Sequence, residues 1–88
     1  MKAPIFESKF KRDLKKYQKK HYDMRLIYVA IEMLVNEIPL PGKYRDHALV
    51  GNWKGFREIH IAGDVLLIYQ SDDNAIIFVR LGTHDDLF

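Results

Sequence analysis

Apolar residues recur at helical spacing along the first part of the chain and at strand spacing along the last. Phe10, Leu14 and Tyr17 fall at i, i+4 and i+7, one face of a helix running from Lys9 to about His21 behind Ser8 as N-cap. Leu26, Ile27, Ala30, Ile31, Met33 and Leu34 repeat that spacing behind Asp23, a second N-cap, as far as about Glu37. This second face is wide enough to lie on a sheet, and Met24 and Met33 read as core filler. The short His21-Tyr22 joint makes the pair an αα-hairpin. Ahead of it, Ala3 to Glu7 reads as a short strand, with Pro4 suiting an edge or a strand start.

The second half alternates differently. Pro39, Pro41 and Gly42 punctuate a loop from Ile38 to His47. His47 to Leu49 reads as a brief strand, and Gly51 to Gly55 turns the chain around Trp53. Phe56–Ile61, Val65–Gln70 and Ala75–Leu81 form a meander, turning at Ala62-Gly63 and at Asp72-Asp73-Asn74. The order β-α-α-β-β-β specifies an α+β domain over residues 1–88. Two N-terminal helices pack on one face of a four- to five-stranded antiparallel sheet.

The last strand carries the first hint of chemistry. Ile76, Ile77, Phe78, Val79 and Leu81 are strand formers, interrupted by Arg80, a permanent cation seldom buried without a partner. Strict alternation sets Ile77, Val79 and Leu81 on one face and Arg80 with Ile76 and Phe78 on the other. On the strand before the hairpin, Ile59 and Ile61 face the helices while Glu58 and His60 face away. If Ile77, Val79 and Leu81 also face the helices, His60 and Arg80 share the open side of the sheet. His84 lies just past the strand end, Asp64 in the hairpin beside His60, and His47 in the loop before the sheet.

Charge sharpens this. The net charge is only +2, but residues 1–25 hold nine Lys/Arg and three Asp/Glu (9 − 3 = +6), and residues 26–88 hold five and nine (5 − 9 = −4). Lys9, Lys11, Arg12, Lys15, Lys16, Lys19 and Lys20 form a stripe on the first helix opposed only by Asp13. Such a face is either solubilising or a grip for phosphates. With no cysteine there is neither a disulfide nor a thiolate metal site. The start of the chain has no apolar core of a signal peptide, and the longest apolar run, Leu26 to Ile31, is far too short to span a membrane, so the cytoplasm is the expected compartment.

Imidazoles around a guanidinium suit RNA cleavage. A base removes the ribose 2′-OH proton, an acid protonates the departing 5′-oxygen, and arginine clamps the phosphorane that forms. No cofactor or metal is required. His60 and Asp64 offer an imidazole and a carboxylate for a metal, but they are spaced across a turn and Arg80 nearby opposes a dication.

The segment Leu40-Pro41, Tyr44-Arg45-Asp46-His47-Ala48-Leu49, Gly51, Trp53-Lys54-Gly55-Phe56-Arg57-Glu58, His60, Asp64, Leu67-Ile68-Tyr69, Arg80, Gly82-Thr83-His84 and Leu87-Phe88 resembles the YafQ-type branch of the RelE toxins. These are the toxin halves of bacterial type II toxin–antitoxin pairs. The resemblance implies a metal-independent, ribosome-dependent endoribonuclease acting on translated messenger RNA and neutralised by a cognate antitoxin. It implies a catalytic set of His47, His60, Asp64, Arg80 and His84 without assigning base and acid among them; of these we expect His84, at the end of the Arg80 strand, to be the principal proton-transfer residue. Phe88 and Lys54 would contact substrate, and Lys9, Arg12, Lys15, Lys16, Lys19 and Lys20 would grip ribosomal RNA. One departure stands out: where relatives can carry a tryptophan after the hairpin aspartate, this chain has Val65. The rival readings are a ParE-like gyrase inhibitor of the same superfamily, a catalytically decayed RNA-binding protein, and a metal hydrolase.

Overall fold

A computed structural model covers residues 1–88. In chain order it runs β1 (Ala3–Phe6), α1 (Ser8–Lys19), α2 (Met24–Val35), β2 (His47–Ala48), β3 (Arg57–Ala62), β4 (Val65–Ser71), β5 (Ala75–Thr83) and α3 (His84–Leu87). Short 3₁₀ turns at Gly42–Tyr44 and Gly51–Trp53 flank β2. The five strands form one sheet in the order β1-β5-β4-β3-β2, with α1 and α2 across one face. The α+β class and the two-helix layer are those expected from the periodicity.

The sheet is mixed rather than wholly antiparallel. β2, β3, β4 and β5 pair antiparallel, but β1 runs parallel to β5, with Ala3 opposite Ala75 and Phe6 opposite Phe78. A tight hairpin forces antiparallel pairing. β1 reaches β5 only after the whole domain, so no turn dictates its direction. Ser8 proves to be the first helical residue behind Glu7 rather than a cap, whereas Asp23 does cap α2 by accepting from the Arg25 N–H at 3.2 Å.

The main core lies between the helices and the sheet. Phe10, Tyr17, Ile27 and Ala30 from the helices meet Ile59, Val65, Leu67, Tyr69, Ile76, Phe78 and Leu81. Each fully buried side chain of this size stabilises the fold by roughly 1.5–3 kcal/mol. Phe6 stacks on Phe78 with ring centres 5.1 Å apart, and Phe10 lies 5.6 Å from Phe78. Val65 is part of this core, so the position where relatives can carry tryptophan points inward here.

Strict alternation fails along β5. Ile68 opposes Arg80 while Tyr69 opposes Phe78, which leaves Val79 as the extra residue of a bulge. Ile76, Phe78 and Leu81 therefore all face the helices, and Val79 faces the other side. The expected helix-facing set of Ile77, Val79 and Leu81 is thus corrected.

The far face of the sheet is not open. Leu66, Ile68 and Leu87 form a second small core there, with Leu49, Trp53, Phe56 and Val79 packed around it. The loop carrying Trp53 and the short helix α3 cover it. No helix is long and apolar enough to cross a membrane.

Candidate active site

β5 delivers α3 to the second core. Gly82 sits directly beneath it: a Cβ there would lie 3.2 Å from Leu87 Cδ2 and 3.3 Å from Asp86 Cβ. Thr83 then caps α3 by accepting from the Asp86 N–H at 3.2 Å, and Leu87 buries in the second core. Hydrogen bonds to the Asp86 carboxyl from the Thr83 side chain and then its backbone, followed by the charge of Lys16, hold that carboxyl below its ordinary value. The result is a fixed platform. His84 begins the turn and Phe88 ends it, with ring centres 5.1 Å apart. Phe88 in turn meets Trp53 edge-on at 5.6 Å, and Trp53 meets Phe56 at 5.4 Å.

These rings wall a groove of about 240 Å³ lined by Leu49, Val50, Trp53, Glu58, His84 and Phe88. It has an aromatic wall and two titratable side chains. Glu58 is the one charged residue that the fold buries, at 7% exposed. The His47 Nε2 atom lies 3.1 Å from its carboxylate, directly across the β2–β3 pairing. His47 Nδ1 donates to the Arg45 carbonyl at 2.6 Å. Arg45 is left-handed, at φ 48°, where the chain leaves its 3₁₀ turn and swings into β2. Asp46 pins that swing by accepting from Tyr69 Oη at 2.8 Å and Arg57 Nε at 3.1 Å. His60, two residues beyond Glu58, brings its ring centre to 6.4 Å from that of His47.

Arg80 occupies the same face by register, in line with Ile68 and Glu58 across β4. Two strand spacings separate it from Glu58, about 10 Å. Its guanidinium turns to the sheet edge. There it donates to Asp13 of α1 through Nε at 2.9 Å and Nη2 at 3.4 Å. The same carboxylate accepts from the Leu81 N–H at 2.9 Å, a donor left without a strand partner because β1 ends at Phe6. The hydrogen bond to Asp13 raises the Arg80 pKa above its ordinary value. Lys9, Arg12 and Lys16 surround this pair, and the cationic surface continues through Lys15, Lys19 and Lys20.

The structure therefore gathers some of the expected residues and spreads others. His84 and Phe88 share the groove, and His47 and His60 adjoin it. Arg80 lies on the same face but is engaged by Asp13. Asp64 is exposed at the tip of the β3–β4 turn, at the end of the sheet where Val65 pairs with Thr83. It makes no hydrogen bond to His60 or His84, and its charge adds to the burial that raises Tyr17 and Tyr22. Lys54 is exposed at the end of the Gly51–Trp53 turn, beside the aromatic wall. Two site residues were not singled out from sequence. Glu58 was visible only as a polar position alternating with isoleucines, and Asp13 only as the lone acid in a basic stripe.

Comparison with known proteins agrees with this architecture. Residues 2–88 match the family model described as bacterial toxin of type II toxin–antitoxin system, YafQ. The chain is 42% identical over 84 residues to the mRNA interferase toxin YafQ of Escherichia coli strain K12, covering 94% of this chain and 91% of that one. It superposes on the crystal structure of YafQ from E. coli strain BL21(DE3) with a TM-score of 0.94 and 37% identity, covering 100% and 99% of the two chains. On the E. coli DinJ–YafQ toxin–antitoxin complex the TM-score is 0.92 at 39% identity, covering 99% and 97%.

Proposed function

Because the chain belongs to the YafQ family of bacterial type II toxin–antitoxin toxins, we propose that it is an mRNA interferase. In this reading it cuts translated messenger on the ribosome and is held inactive by a cognate antitoxin. The observation that carries the reading is the groove in which His84, Phe88 and Trp53 converge on one fixed platform, in a chain whose curated relative is an mRNA interferase.

The aromatic wall of Phe88 and Trp53 gives a nucleobase a surface to stack on. A base held there sets its ribose and 3′-phosphate over the groove. His84, exposed at the rim and anchored through Thr83 and Leu87, reaches the phosphodiester as the principal proton-transfer residue. Arg80 supplies charge to the phosphorane from the basic end of the same face. His47 and His60 support the far wall, and Asp64 lies at the same end of the sheet as α3. Lys54 meets the substrate backbone. The stripe Lys9, Arg12, Lys15, Lys16, Lys19 and Lys20 grips ribosomal RNA without reading sequence. DNA lacks the attacking 2′-OH and is not cut.

Expression of the wild type and of His84→Ala, with primer extension on a translated messenger, tests the proposal. The wild type yields cleaved messenger and growth arrest, and the variant yields neither. Growth arrest with intact messenger and broken DNA would instead identify a gyrase inhibitor. Absence of cuts on active ribosomes would identify a decayed RNA-binding protein.

A further inference from the structure

Arg80 brings the one permanent positive charge to the residues expected to act on the phosphate, and what it can do there depends on which of its donors are free. A guanidinium has two edges that grip a pair of oxygens, Nε with Nη2 and Nη1 with Nη2. Asp13 takes the first: Nε donates to Oδ2 at 2.9 Å and Nη2 to Oδ1 at 3.4 Å. Nη1 makes no hydrogen bond within the protein, which leaves the second edge for a ligand. A cavity of about 350 Å³ adjoins the pair, lined by Lys9, Arg12, Lys16, Asp13 and Arg80 itself. Asp13 Oδ2 also accepts from the Leu81 N–H at 2.9 Å. One carboxylate therefore fixes both the guanidinium and the strand that runs on through Gly82 and Thr83 into His84. The pair is not needed to seat the helix. Phe10 of α1 is fully buried and already packs on Phe78 of β5, with ring centres 5.6 Å apart. Replacing both partners of such an ion pair by well-packed apolar residues is often neutral or stabilising. A carboxylate set in a row of cations, given over to an arginine and one N–H, points instead to orientation.

We infer that Asp13 is a positioning residue for the cleavage reaction. It holds Arg80 so that the Nη1–Nη2 edge is the one presented to the RNA phosphate, and through Leu81 it keeps that edge in a set relation to His84. The inference rests on the nuclease reading above and adds to it a residue that acts on the substrate only through Arg80. An unrestrained arginine side chain samples many rotamers, and few of them align its donors with a phosphorane. A guanidinium already held by a carboxylate is aligned before charge develops, so no reorganisation is needed as the transition state forms. Asp13 also offsets one charge at this point of the stripe, so RNA drawn to Lys9, Arg12 and Lys16 meets Arg80 by its free edge.

Single-turnover cleavage of end-labelled messenger on programmed ribosomes tests this, with either an ordinary phosphate or a phosphorothioate at the scissile bond, each stereoisomer in turn. Sulfur weakens a hydrogen bond from Arg80 to a non-bridging oxygen, so the wild type cuts one stereoisomer more slowly. Asp13→Asn keeps the volume and an oxygen for the Leu81 N–H but loses the charge that holds Arg80. Its rate on the ordinary phosphate falls about 10²-fold, and the slowing caused by sulfur shrinks, as it does in Arg80→Ala. In an Arg80→Ala background, Asp13→Asn brings no further loss of rate. Asp13→Glu keeps the charge on a longer arm, so its rate and its sulfur effect fall between those of Asp13→Asn and the wild type; it carries the test if the amide variant does not fold. A slow variant with the full wild-type sulfur effect would show a structural role alone and overturn the inference. So would a folded Asp13→Asn or Asp13→Glu cleaving at the wild-type rate, a further loss in the Arg80→Ala background, or a wild type indifferent to sulfur. Each of these leaves the nuclease reading standing, whereas a wild type that cuts no messenger overturns that reading and this inference together.

Discussion

Replacing Asp13 by alanine isolates the anchor that holds Arg80. In the wild type one carboxylate serves Arg80 Nε, Arg80 Nη2 and the Leu81 N–H. The two side chains are only 26% and 14% exposed, so solvent screens the pair incompletely. Breaking a fully buried ion pair costs roughly 3–5 kcal/mol, and partial exposure of Arg80 lowers that figure. The stranded Leu81 N–H adds about 1–3 kcal/mol. A net loss of about 3 kcal/mol follows from these opposed corrections. For a domain of this size each kcal/mol moves Tm by about 4–8 °C, so Tm falls by about 12–24 °C. Urea unfolding followed by Trp53 fluorescence and far-UV circular dichroism measures the loss. A double-mutant cycle with Arg80→Met then isolates the pair, with an expected coupling of about 1–2 kcal/mol. A loss below about 1 kcal/mol, or additivity within about 0.3 kcal/mol, would refute the anchoring of Arg80 by Asp13. The same variant, assayed where it is folded, is expected to cleave messenger more slowly.

Gly82→Ala presses a methyl against Leu87 and Asp86 and moves α3 with His84 and Phe88. Cleavage falls about tenfold or more for a misplacement well under 1 Å, while melting shifts little; unchanged cleavage kinetics would show that α3 position is not critical. Tyr69 is pushed up to about 12 from an ordinary 10.0, first by burial and then by its hydrogen bond to Asp46. The folded value lies above the unfolded one, so its contribution is intact below pH 10 and is lost as pH rises through about 12. Tyr69→Phe therefore flattens the alkaline fall of stability relative to wild type, and parallel curves in urea titrations across that range would remove Tyr69 from the account.

The two helices were legible because their apolar positions repeat without interruption and Asp23 announces the second. The meander was legible because Gly63 and the Asp72-Asp73-Asn74 turn punctuate it. The faces of β5 were not. Alternation holds only while pairing is regular, and the extra residue at Val79 shifts every later side chain. Arg80 reached the face expected of it although the helix-facing set around it was misassigned. His84, singled out by its place just past the Arg80 strand, and Phe88, named by resemblance, stand together in the groove. Glu58 was overlooked because nothing in a strand pattern distinguishes a solvated glutamate from a buried one held by a histidine on the neighbouring strand.

Local chemistry written along the chain determined the elements: helical spacing behind Asp23, strand formers between turns, a cation stripe on α1, and an arginine before a Gly-Thr-His end. The tertiary structure alone decided which of these meet. The parallel partner of β5, the cap that Asp13 places on Arg80 and Leu81, and the His47–Glu58 contact all join residues far apart in sequence or on different strands. Such contacts are set by register and by what the core leaves uncovered, which no window of neighbouring residues encodes.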